Sequence, residues 1–280
     1  MTFLNKIKEL GLTKQGRSSK SPAMVRNFFN KAMNKAALIG LFGKKMTAGV
    51  TIWQGVSEFD GRAIKVVMSC YATDSENNKT GPLVQVSILP VEKTPKQVYN
   101  SKEPTVCGDC KYNGGGCYVQ WPRLTGQWKT SQKRHISLEL AAWLCNGLRV
   151  RIGAAGDPAA VPLYVWQTLL AGADSWTGYT HAWRYCETGH SRYFMASCDS
   201  EQEVQEAVGR GWNVFYVHDG KIEEDMDYIK CMADGITKSC FTCMLCHGRP
   251  SKRSKPIVIV EKLHGASNTV SKARQARRGA

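Results

Sequence analysis

Apolar and polar positions along this chain follow two different periods, and the switches between them mark out its elements. Phe3, Leu4, Ile7 and Leu10, then Met24, Phe28, Met33 and Ala37, recur at helical spacing around a polar stretch at Lys14–Pro22. This pattern predicts a helical arm over the first 45 or so residues. From Val50 the period shortens, predicting strands at Val50–Val56, at Ala63–Ser69 after a Phe59-Asp60-Gly61 turn, and at Leu83–Leu89 beyond the polar Asn77–Gly81 loop. Between Ser137 and Val217 the two periods alternate. The expected order is helix Leu138–Leu144, strand Leu148–Ile152, helix Val161–Leu170, strands Gly178–Trp183 and Tyr193–Ala196, helix Glu201–Val208 and strand Asn213–Val217. A short apolar strand follows at Ile257–Val260, and there is no internal repeat. Strands separated by helical crossovers predict an α/β fold, built as an open parallel sheet or as a partial (βα) barrel.

Cysteine placement changes the picture most. Seven of the eleven cysteines fall in two windows: Cys107, Cys110 and Cys117 in a Gly-rich segment, and Cys231, Cys240, Cys243 and Cys246 beyond the last crossover. No secretory pattern opens the chain, so a cytoplasmic location is expected, where clustered thiols more often bind metal than pair as disulfides. Cys240-x-x-Cys243-x-x-Cys246 with one distant cysteine resembles the ligand run of a cubane [4Fe-4S] cluster. Zinc also accepts four thiolates, usually from two separate corners. Here the corners overlap on Cys243. The first window offers three thiolates, so a fourth ligand comes from elsewhere (Cys70, His135 or a cysteine of the second window), or one iron stays open to a substrate or cofactor. Enzymes that cleave S-adenosylmethionine by radical chemistry depend on such an open iron. Their cysteines are usually spaced by three residues and then two, whereas these are spaced by two and six.

Charge sorts the chain into three parts. Residues 1–48 carry +9 and residues 249–280 carry +8, which leaves the 200 residues between them at −2 within a total of +15. The expected organisation is therefore a basic helical arm (1–48), an α/β metal-binding body (49–248) and a basic C-terminal tail with one short strand (249–280). Basic ends attract polyanions, which makes nucleic acid a candidate partner; solubility alone also explains such ends. Ala36–Phe42 is apolar but too short to span a bilayer, so no membrane role is expected.

Other residues suited to chemistry lie where loops follow strands. Gly153, Gly156 and Asp157 open a loop after a predicted strand, where small residues and a carboxylate can receive a cofactor's ribose hydroxyl or amine. Asp157 before Pro158 also has the form of a helix cap. His181 shares a strand face with Trp183 and is a candidate acid/base, or else a core histidine. Arg149 and Arg151 share a face too, suited to ion pairs or a phosphate. Asp199 has the position of a cap for the helix at Glu201, and Cys145, Cys186 and Cys198 read as buried cysteines. The chain contains no Walker motif, no Gly-x-Ser-x-Gly elbow and no His-Glu-x-x-His helix.

Several of these segments together resemble a group of bacteriophage and mobile-element proteins, mostly uncharacterised and some radical-SAM-like. They are Val106-Cys-Gly-Asp-Cys110, Gly116-Cys117-Tyr118-Val119, the run from Arg151 to Pro158, Thr177 to Trp183, Met195-Ala-Ser197, and the Cys240 run with His264-Gly265. The likeness covers about residues 50 to 265, roughly three quarters of the chain. It implies a partial (βα) barrel around a metal-thiolate core. The expected function is an iron–sulfur enzyme of radical-SAM-like type: Cys107, Cys110 and Cys117 hold a reactive cluster, the other four cysteines hold an auxiliary one, and Asp157 and His181 face the substrate. The rival expectation is a zinc-stabilised, non-enzymatic nucleic-acid-binding protein of a phage or plasmid. In a third arrangement the two windows form one shared structural site.

Overall fold

The structure, a computed structural model, describes residues 49–69, 79–220, 222, 227–233, 238–249, 255–265 and 267–278. The expected basic arm at 1–48, Cys70, and Asn77 and Asn78 of the polar loop lie outside the described residues. Two sheets organise the rest. The first holds β1 (Val50–Val56), β2 (Ala63–Ser69), β3 (Val84–Pro90), β4 (Arg149–Ile152) and β5 (Ser175–Thr177) in sequence order. Its first three strands are antiparallel neighbours, and β3, β4 and β5 run parallel. The second holds β6 (Tyr179–Thr180), β7 (Met195–Cys198), β8 (Val214–His218), β10 (Val258–Lys262) and β9 (Ile229–Lys230), all parallel. The fold is thus α/β, with one mixed and one parallel sheet and no closed barrel.

A single residue, Gly178, separates β5 from β6, so one extended segment passes from the first sheet into the second. Its carbonyl accepts from Met195 N at 3.0 Å, and its N–H donates to Cys246 O at 3.0 Å. A Cβ here would sit 2.7 Å from the Phe194 ring, which explains the glycine.

Helices cover one face. Between β3 and β4 come α1 (Pro95–Asn100), α2 (Thr125–Ser131) and α3 (Leu138–Cys145); α4 (Leu163–Leu170) follows β4, and α5 (Glu201–Gly209) links β7 to β8. Ser137 and Ser200 cap α3 and α5 by accepting from the N–H groups of Leu140 and Glu203. Ala141, Leu144, Val165, Trp166 and Leu169 of α3 and α4 pack in one core with Val150 and Ile152 of β4. Val204 and Ala207 of α5 pack on Ala196, Cys198 and Val214. By the alternation of strands, Gln85, Arg151 and Thr177, paired in register, point to the opposite face. That second face continues through Met195, Phe215 and Ile259, which pack with Cys246.

The structure departs from the sequence expectation at both ends of the α/β body. α1 and α2 are additional to the expected elements. The C-terminal tail is more than a tail with one strand. β10 lies between β8 and β9 in the parallel sheet, α6 (Cys240–Cys243) precedes it, and α7 (Ser267–Arg278) follows it. Among the described residues no helix is long and apolar enough to cross a membrane.

The loop after β4 is fixed by glycine. Gly156 has φ +76°, and a Cβ would stand 2.6 Å from Ile88 O; Gly61 has nearly the same φ, +71°, with open space around it. Gly156→Ala is therefore expected to cost roughly 2–4 kcal/mol from left-handed strain plus the clash, against about 1 kcal/mol for Gly61→Ala, which carries strain alone. Urea denaturation of the two variants checks the difference.

Candidate functional site

The first thiol group is built by a tight loop at the carboxyl ends of the strands. A short turn, Pro104–Val106, ends at Cys107, and the Cys110 N–H donates back to Cys107 O at 3.2 Å, drawing the two residues together. Gly108, with φ +57°, lets the chain reverse between them. Asp157 N donates to Val106 O at 2.7 Å, tying this loop to the one after β4. Burial pushes the Cys107 thiol well up, and Cys110, Cys117 and Asp157 push it further. Burial also raises Cys117, to about 11, against the lowering effect of the Val119 backbone and the Trp121 indole.

His181 and two carboxylates complete this group. Burial works to lower the His181 pKa, but Cys110, which hydrogen-bonds it, together with Asp199 and Asp157, raises it to about 10. Its ring meets Tyr112 edge-on at 5.9 Å. Asp157 uses both oxygens in the fold: Oδ1 accepts from Ala159 N at 2.9 Å and Oδ2 from His181 N at 2.8 Å. The carboxylate therefore caps the turn at Pro158 and orients His181. Burial raises its pKa above the usual carboxylate value despite these donors.

Two expectations are corrected here. His181 and Trp183 do not share a strand face, because β6 ends at Thr180, whose hydroxyl accepts from Ala182 N at 3.0 Å and turns the chain. Asp199 does not cap α5; Ser200 does. The Asp199 side chain, 4% exposed, instead accepts from Arg277 at 3.1 Å and pairs with Lys111 at 3.3 Å, with His181 Nε2 at 4.0 Å. Arg277 also donates to Tyr112 Oη at 2.7 Å and Val217 O at 2.8 Å.

The second thiol group lies on this second sheet face. Cys240 and Cys243 stand one turn apart on α6, which Met244 ends in the left-handed conformation (φ 51°), sending the chain back through Cys246. Backbone bonds fix each approach: Cys240 N to Lys79 O at 2.9 Å, Cys231 N to Val260 O at 2.8 Å, and Gly178 N to Cys246 O. All four cysteines line one cavity of about 20 Å³, together with Thr177, Ile229, Met232, Leu245 and Ile259 among others. Burial first, and then the other three thiols, raise Cys246, while a hydrogen bond from Tyr179 lowers it. Burial also raises Cys240, with Arg151 and Lys79 opposing.

The sequence-selected cysteines thus gather as three and four. Among the described residues no group of three Cys, His, Asp or Glu side chains is arranged to hold a single metal ion. Within each group burial and the neighbouring thiols raise the thiol pKa values. Gly153 and Gly156 serve the loop's packing on Ile88 and Pro158. Of their neighbours, Ala154 N donates to Val86 O, and Ala155 O accepts from Ile88 N. His135 is engaged beside β1. Arg149 pairs with Asp174 and the Phe241 carbonyl, a structural role. Cys145 and Cys198 are buried as expected, and Cys186 is half-buried. Lys111, Tyr112, Trp121, Tyr179 and Arg277 were not singled out by the sequence, although three of them lie within four residues of a cysteine of the first group.

Arg277 and Arg274 of α7 separate buried from exposed pairing. Arg277→Ala leaves the Asp199 carboxylate buried with one near cation fewer, and about 1–3 kcal/mol of stability is expected to be lost. Arg274→Ala breaks a bidentate pair with Asp219 whose arginine is 51% exposed, so its loss should be much smaller. Denaturant titration of both variants measures the contrast.

The chain matches no protein-family model, no curated protein and no solved structure.

Proposed function

We propose that this protein is an iron–sulfur enzyme of radical-SAM-like type, with the second face of its two joined sheets as the inner face of a partial (βα) barrel. One observation carries the reading: seven thiols divide into a group of three at the carboxyl ends of parallel strands and a group of four around one cavity. Carboxyl ends are where parallel α/β folds place their ligands. In this reading Cys107, Cys110 and Cys117 hold the reactive cluster, and Cys231, Cys240, Cys243 and Cys246 hold the auxiliary one. A three-thiolate cubane supplies one-electron chemistry and a coordination position open to S-adenosylmethionine.

The residues around the first group have separable tasks. His181 stands by the Cys110 sulfur, with the carboxylates of Asp157 and Asp199 beside it. Asp157 fixes His181 through its backbone, and Arg277, Lys111 and Tyr112 hold the Asp199 carboxylate next to it. The rival zinc-stabilised nucleic-acid binder draws on tail basicity. Two arginines of α7 are engaged internally, with Asp219 and with Asp199, which leaves less of that charge for a polyanion.

The test is the iron, acid-labile sulfide and zinc content of the full chain purified without oxygen. Two cubanes predict about eight iron and eight sulfide per chain, falling to about half in Cys110→Ala and in Cys243→Ala. Reductant-dependent cleavage of S-adenosylmethionine is expected in the native protein and lost in Cys110→Ala. Colourless protein with zinc and no sulfide overturns the reading.

A further inference from the structure

Trp53 donates its indole N–H to the Tyr164 hydroxyl at 2.9 Å, joining β1, which ends the first sheet, to α4. Tyr164 is nevertheless 53% exposed, and Trp143 of α3 is 56% exposed. α3 packs beside both α4 and β1. Leu140 stands one turn before Trp143 on α3 and, like Trp53, is only half-buried against the core. A lone exposed apolar residue needs no explanation, whereas aromatic side chains left exposed on adjoining elements mark a contact surface. Two carboxylates border it. Glu139 is one turn before Trp143 on α3, and the Glu58 N–H donates to Ala160 O at 2.9 Å, three residues before α4. Both are exposed, and neither pairs with a cation among the described residues.

We propose that Trp53, Leu140, Trp143 and Tyr164 form the docking surface for this chain's own basic arm, residues 1–48. The inference is independent of the iron–sulfur reading, since none of these residues touches either thiol group. Three observations select this occupant. The arm carries apolar side chains at Met24, Phe28, Met33 and Ala37, which suit an aromatic surface. Its charge of +9 complements Glu58 and Glu139, two carboxylates that repel a polyanion. Finally, the arm leads directly into the strand that bears Trp53. The twelve residues 38–49 between Ala37 and Val50 reach up to about 40 Å when extended. Such a tether holds the arm near the surface at an effective concentration on the order of millimolar, an advantage that no separate chain shares.

Limited trypsin digestion of the full chain reads the docking, because the arm holds ten Lys and Arg residues. Cleavage within the arm is expected to be about tenfold faster when Trp143→Ala and Tyr164→Ala are combined, and likewise in Phe28→Asp. Tyr185→Ala removes another exposed aromatic, beside Asp109, and is expected to leave the rate unchanged. The altered body residues are exposed, so the body should keep its melting temperature within a few degrees; that measurement separates release of the arm from unfolding. Equal arm cleavage in the native protein and in both docking variants overturns the inference, as does equal acceleration by Tyr185→Ala. Protection that grows with protein concentration, together with a dimer on gel filtration, assigns the surface to a second copy and overturns it too.

Discussion

At Gly178 the strand that ends the mixed sheet becomes the strand that begins the parallel one. Its carbonyl is held by Met195 and its N–H holds the Cys246 carbonyl, so one peptide unit joins the second sheet and the second cysteine group to the first sheet. Thr177 and Tyr179 stand on either side of this glycine and project to the same face, the first lining the cysteine cavity and the second bonded to Cys246. One residue later Thr180 accepts from Ala182 N and ends the strand, which sets His181 at the mouth of the first group. A side chain at 178 would drive Phe194 out of the core and open this seam. One six-residue segment, Thr177–Ala182, thus meets both thiol groups without containing a cysteine.

Strand alternation made part of this arrangement legible. β1 and β2 occupy the ranges expected from the period-two pattern, because each has a clear apolar core face and a glycine turn between them. α3, α4 and α5 likewise follow from their apolar spacing and serine or proline starts. α1 was missed although its signal was present: Thr94 and Gln97 form a capping box ahead of a single apolar turn. α7 was missed for a different reason. Its one buried apolar residue is Ala273, and ion pairs and hydrogen bonds from Arg274 and Arg277 tie it to the sheet ends. Hydrophobic periodicity does not report docking of that kind.

The cysteine windows were legible as clusters, since spacing alone marks them. Their surroundings were not. Asp199 lies 82 residues after Cys117 and Arg277 lies 78 after Asp199, and only the parallel strand order brings them together at the carboxyl ends of β7 and β8. His181 was found by residue type but placed on the wrong element. The hydroxyl of Thr180 competes with the ladder for the next backbone donors, and local bonds of this sort shorten a strand that hydrophobicity would continue.

The two thiol groups differ in the company they keep. Around the first stand Lys111, Arg277 and His181 with Asp157 and Asp199, fixed charges close to Cys110 and Cys107. The cavity of the second is walled largely by Ile229, Met232, Ala233, Met244, Leu245 and Ile259, with Arg151 and Lys79 acting on Cys240 from one side. Charges around the first group respond to any change of charge on its sulfurs. Apolar side chains beside the second leave burial as the main influence on its thiols. The same residue type thus meets two different surroundings, and the difference lies in the neighbours that each strand end supplies.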